Sequence, residues 1–123
     1  MKPITISLAI LSTLLIFSLL TSSHISSVVD QTSSYLEDAI LETNRSQSVR
    51  LVSDATAYWK ENQTCFGLLL RHDEIDEVIC EMALLQAYAE QEDWDDFDGN
   101  CAGLLARLQH IKEMEQFSLQ NIF

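Results

Sequence analysis

Residues 4–20 read ITISLAILSTLLIFSLL, an apolar run with no charged group, broken only by Ser and Thr. As a helix it would span roughly 26 Å, and extension to Ser23 brings it to about 30 Å, the thickness of a bilayer's hydrocarbon core. Hydroxyl side chains are tolerated there because they bond back to carbonyls of their own helix. Asp, Glu, Lys and Arg are absent all the way from Pro3 to Val29. A cleaved signal peptide is the competing reading, with Met1-Lys2 as its basic start and Thr21-Ser22-Ser23 as its exit. The apolar run exceeds the usual signal-peptide core of about 7–15 residues, and no A-x-A site follows, so a retained anchor is favoured. Both readings export the remainder, and Lys2 holds the amino terminus on the inner side. The expected organisation is a membrane anchor over residues 1–23 and an extracytoplasmic domain over residues 24–123, in a single-pass protein of the cell membrane.

The exported part is strongly acidic. All nineteen Asp and Glu lie at Asp30 or beyond, against six basic residues after His24, a formal charge of −13. Phosphate binding needs clustered Lys and Arg, so nucleic acid is excluded as a partner. Anionic headgroups are disfavoured for the same reason. Cationic partners and divalent ions remain compatible with such a surface.

One Pro and three Gly occur in 123 residues, and strand-like alternation is absent. Helical spacing recurs four times. The first stripe is Val28/Val29, Thr32, Leu36 and Ala39/Ile40, continuous with the membrane helix or just outside it. The second is Val49, Val52, Thr56 and Trp59, then Phe66 and Leu69/Leu70. Ile75, Val78/Ile79, Met82, Leu85 and Tyr88/Ala89 form the third. Trp94, Phe97, Cys101, Leu104/Leu105, Leu108 and Ile111 form the fourth. Each is the face a helix buries. Asp73 and Asp93 stand three residues before Asp76 and Asp96, and both are expected to be N-caps with an acid in the following turn. Glu42-Thr43-Asn44-Arg45 divides the first two stripes without Gly or Pro. Short connections make successive helices antiparallel. The predicted class is therefore all-α, one N-terminal transmembrane helix followed by a small antiparallel bundle of about four helices in two hairpins. A shift of forty-eight residues places Leu36, Ala39, Ile40, Ser46 and Val49 on Leu84, Ala87, Tyr88, Trp94 and Phe97, a faintly tetratricopeptide-like echo that a simple four-helix arrangement also explains.

Few residues invite chemistry. Cys65, Cys80 and Cys101 are odd in number and contain no C-x-x-C, which leaves an intermolecular bond, a free thiol, or a setting where disulfides matter little. Cys101 falls on the apolar stripe, where a small buried hydrophobe is expected. His72-Asp73-Glu74-Ile75-Asp76-Glu77 puts a His beside carboxylates, a combination fit for general-base or metal chemistry through His72 and Asp76. Against it stands the plainer role of a helix-capping corner, since no nucleophile or second ligand accompanies His72. His24 borders the anchor, and His110 has no ligand-like neighbour. The acidic run Glu90–Asp98 fails as a calcium loop on spacing: counted from Asp93, Phe97 and Leu104 fall where ligands belong. Trp59 and Trp94 follow core spacing, and Trp94 is expected to plug the corner between the third and fourth helices over Leu85 and Tyr88. Gly99 and Gly103, four apart on the fourth helix, suggest close approach of another helix.

Tyr58-Trp59, the run Leu69-Leu70-Arg71-His72-Asp73-Glu74-Ile75-Asp76 and the ending Phe117-Ser118-Leu119-Gln120-Asn121-Ile122-Phe123 together resemble the bacterial domain of unknown function 4363 family. Its members are short membrane-anchored helical proteins of Gram-positive, often spore-forming bacteria. Arg71 stands where the family pattern has an acid, and Phe123 replaces a terminal Leu. The resemblance implies anchoring, a helical fold and an envelope or spore setting, with no assigned activity.

These readings lead to a membrane-anchored, non-catalytic interaction or scaffold module of the bacterial cell or spore envelope. Its partners would be the lipid bilayer and an envelope protein, with no catalytic residue, metal ligand or cofactor assigned. A small metal-assisted hydrolase centred on His72 and Asp76 is the alternative.

Overall fold

The computed structural model describes residues 2–66 and 72–122. It contains α1 (Lys2–Leu41), α2 (Arg45–Asn62), a short 3-10 turn (Gln63–Phe66), α3 (His72–Glu90) and α4 (Trp94–Ile122), and no strand among the described residues. The all-α expectation holds. The apolar run and the first bundle helix are one uninterrupted helix of forty residues, about 60 Å long. The bundle is therefore completed by the second half of α1 together with α2, α3 and α4.

The two halves of α1 differ in what covers them. Ile4, Leu8, Leu11, Leu14 and Phe17 are all exposed, and this stretch is long and apolar enough to cross a membrane. Thr13 and Thr21 donate to the carbonyls of Ala9 and Phe17, both at 2.8 Å, so their hydroxyls are satisfied within the helix. From Ser22 onward a stripe is buried: Ser22, Ile25, Val28/Val29, Thr32, Leu36 and Ala39.

Each helix packs on its two neighbours in the order α1–α2–α3–α4, and α4 closes back on α1. Stacked repeats would leave the last helix at an open end; this closed ring is the simple four-helix arrangement. At its centre lie Ile25, Leu36, Trp59, Met82, Leu85, Phe97, Leu104 and Leu108, all fully buried. The stripes of α1, α3 and α4 thus face inward as their spacing predicts. In α2 Val52, Thr56 and Trp59 are buried with Ser48 and Ala55, while Val49 is half-buried. The side chain of Phe66, with Leu69 and Leu70, lies outside the described residues.

α4 is ion-paired to every other helix. Arg45 of α2 reaches Asp98 at 3.0 Å, Arg107 reaches Glu81 of α3 at 2.9 Å and also pairs with Glu77, and Lys112 reaches Asp30 of α1 at 2.7 Å. Half-exposed pairs of this kind add little stability but disfavour other registers. They also engage three of the few cations, leaving most of the acidic surplus on the surface.

Candidate functional site

Two chain reversals meet at the bundle end opposite the apolar half of α1. At the first, α1 stops at Leu41 and Asn44 caps α2, its side chain accepting from Ser46 N–H at 3.1 Å. At the second, α3 ends in a Schellman motif. The Asp93 N–H reaches the Tyr88 carbonyl at 2.9 Å, and the Glu92 N–H reaches Ala89 at 3.1 Å. Glu92 occupies the left-handed position of this motif, with φ 57°, where Gly is the usual residue. Asp93 then caps α4, its Oδ1 accepting from Asp96 N–H at 3.4 Å.

These reversals bring Arg45 against the start of α4. Its guanidinium donates two parallel bonds of 3.0 Å to the Asp98 carboxylate and lies 4.9 Å above the Trp94 ring. Trp94 in turn meets Phe97 edge-on, with centroids 5.4 Å apart. Asp98 holds Arg45 more firmly in its charged form. Asp93, through hydrogen bonding and charge, pushes the Asp96 carboxyl above its ordinary range. A shallow groove of about 510 Å³ lies between α1 and α4 beside Asp30, Glu37 and Gln109, and the groove beside Arg45, Glu90, Glu92 and Trp94 measures about 450 Å³ and opens to solvent. The corner offers many acceptors and one cation already committed to Asp98. That chemistry suits a cationic surface better than an anion.

Three sequence expectations need correction. Trp94 is half-buried rather than a plug: as the first residue of α4 it sits at the bundle's end, where Arg45 covers its ring. Gly99 and Gly103 have open space where a side chain would project, so neither marks a close helix approach within the fold. Asp73 lies inside the first turn of α3, which begins at His72; its charge favours the helix dipole from there. The Asp93 cap, by contrast, stands as expected.

Asp76 is exposed on the first turns of α3, and the side chain of His72 lies outside the described residues. Both belong to the end of α3 remote from the Arg45–Asp98 corner. His24 and His110 are exposed on α1 and α4. Among the described residues no three His, Cys, Asp or Glu side chains gather as metal ligands. Cys80 is exposed and Cys101 buried, both as thiols, and the side chain of Cys65 is outside the described residues. The Cys101 thiol donates to the Leu36 carbonyl at 3.6 Å. Burial first, and the charge of Asp98 second, push its pKa up to about 12, as befits a core residue. Sequence reasoning missed Arg45 altogether. Its only local signal was its place after a capping Asn, and its partners lie some fifty residues away.

No curated protein and no solved structure matches the chain. A family model does, over residues 16–122, from within the apolar run of α1 to the last turn of α4. The chain belongs to the family described as Domain of unknown function (DUF4363).

Proposed function

We propose that this protein is a membrane-anchored, non-catalytic interaction or scaffold module of the bacterial envelope, with its acidic bundle outside the cell membrane. The observation that carries the reading is α1 itself. One unbroken helix has an exposed apolar first half and a second half built into the bundle core. A rigid shaft of this kind fixes the bundle's height and orientation over a bilayer, which a flexible linker would not do. The acidic surface, with three of its cations engaged between helices, favours a basic protein segment as partner over nucleic acid. Lys2 on the inner side sets the orientation.

Protease treatment of intact cells carrying a C-terminal tag tests the topology: the tag is removed and the chain stays with the membrane fraction. A protected tag, or uncleaved protein in the soluble fraction, would end this reading. Crosslinking in intact cells followed by pull-down tests the scaffold role. Recovery of the chain alone, with no crosslinked partner, counts against it.

A further inference from the structure

We propose that the C-terminal end of α4 rests in the interface of the bilayer that α1 crosses, through Met114 and Phe117, giving the bundle a second membrane contact. The inference rests on the anchor reading above and adds to it a lipid surface on a different helix.

Length gives the first argument. α3 has nineteen residues and α4 twenty-nine, and both start or end at the corner remote from the anchor. At 1.5 Å per residue, α4 therefore overshoots its hairpin partner by roughly 15 Å on the membrane side. Register gives the second. Cys101 touches Leu36 and Lys112 pairs with Asp30, so α4 descends along α1 as α1 is followed back toward the anchor. Carrying that antiparallel register onward brings Met114 and Phe117 to the level of Ser22 and Ile25, just outside the apolar run that ends at Leu20. Ser22 and Ile25 are buried, and the same face continues half-buried through Ser18 and Leu15. That pattern fits a helix lying along α1 up to the start of the span.

Side-chain placement gives the third. Among the described residues outside the anchor, four large hydrophobics are exposed: Leu41, Leu84, Met114 and Phe117. Two of these stand one turn apart on the overshooting end, with Met114 48% and Phe117 56% exposed. Glu115 between them is turned inward and buried, and burial pushes its carboxyl pKa up. Met114 and Phe117 thus point outward at this level, with the exposed Glu113 and Gln116 beside them on the water side. Lys112 is committed to Asp30, so no free cation here would draw anionic headgroups. A zwitterionic lipid surface, receiving an apolar face at headgroup depth, is the occupant these features fit.

The test uses the full chain in phosphatidylcholine vesicles, with lipids brominated near the headgroup as fluorescence quenchers. Phe117→Trp and Met114→Trp are compared with Phe17→Trp in the anchor and Leu41→Trp at the remote corner, each against the parent signal of Trp59 and Trp94. Phe117→Trp and Met114→Trp should shift to the blue and have their added emission quenched by these lipids, as expected at headgroup depth. Leu41→Trp should be unaffected. Quenching of Phe17→Trp without quenching of the two α4 probes overturns the proposal and leaves the anchor intact. A blue-shifted but unquenched Phe117→Trp also overturns it, in favour of a protein covering. Loss of quenching at Phe17→Trp as well would sink the anchor reading itself.

Discussion

The two hairpins of the bundle are built alike and hold their tryptophans at different depths. In α1–α2 a polar turn leads to a capped helix, and Trp59 lies well along α2, fully buried between its neighbours. In α3–α4 a polar turn again leads to a capped helix, but Trp94 is the first residue of α4 and only half-buried. Both residues obey the same apolar spacing. Spacing fixes which face of a helix a residue occupies; its distance from the helix end decides how much neighbouring structure covers it. The first hairpin is also tied internally, since the buried Ser48 hydroxyl donates to the Ala39 carbonyl across the turn at 2.9 Å. The second is tied outward, through Arg45 and Asp98, to the first.

The largest expected effect breaks this comparison directly. Trp59→Ala should cost about 3–5 kcal/mol, enough to unfold a bundle this small. Trp94→Ala should cost about 2 kcal/mol, because half the ring surface already faces solvent or the Arg45 guanidinium. Urea unfolding of the full chain in detergent micelles, followed by circular dichroism, measures both. Equal losses would show that depth along the helix does not separate the two residues.

Much of the fold was legible because it depends on local, periodic information. The apolar run of residues 4–20, the four stripes and the Asp93 cap all repeat within a few residues, so composition and spacing reveal them. The Glu42–Asn44 break was legible too, although no Gly or Pro marks it. What escaped was non-local or depended on backbone geometry. Arg45 finds Asp98 and Trp94 only after two hairpins have closed, and nothing around Arg45 signals that meeting. Gly99 and Gly103 misled for a physical reason: a glycine in a helix suggests a close neighbour, yet both face open space. Trp94 misled because spacing assigns it to the buried face, whereas as the first residue of α4 it has no further turn to cover it. Of the candidate site, the acidic run was visible and the Arg–Trp–Asp contact at its heart was not.

The caps sharpen the comparison at smaller scale. Asn44→Ala and Asp93→Ala should each cost about 1 kcal/mol, within the usual range of about 0.5–2 for losing an N-cap. Ser at either position should restore most of the loss. Asn44→Ala should be the costlier, because its bond to Ser46 N–H is shorter, 3.1 Å against 3.4 Å for Asp93 to Asp96. Removing Asp93 also relieves its repulsion with Asp96, which lessens the loss, so a loss at Asp93 well above that at Asn44 would mean that Asp93 does more than cap.

The smallest effect tests the turn that sets the second hairpin apart. Glu92 holds φ 57°, and the side chain of an L-residue crowds its own carbonyl there. The position is imposed by the Schellman bonds from Asp93 to Tyr88 and from Glu92 to Ala89, which require a left-handed residue after α3. Gly removes the crowding but adds freedom to the unfolded chain, so the two contributions partly cancel. The net expectation is a gain of roughly 0.5–1 kcal/mol for Glu92→Gly, with the bundle otherwise unchanged. Removing one acid from the crowded corner acts in the same direction, and that part fades as salt screens the neighbouring carboxylates. Urea unfolding of Glu92→Gly and Glu92→Gln at low and high salt separates the causes. Glu92→Gln should keep only the salt-sensitive part, whereas Glu92→Gly should stay more stable than Gln in high salt. If Gly and Gln match at high salt, the left-handed backbone carries no cost at this turn, and the difference between the hairpins reduces to charge.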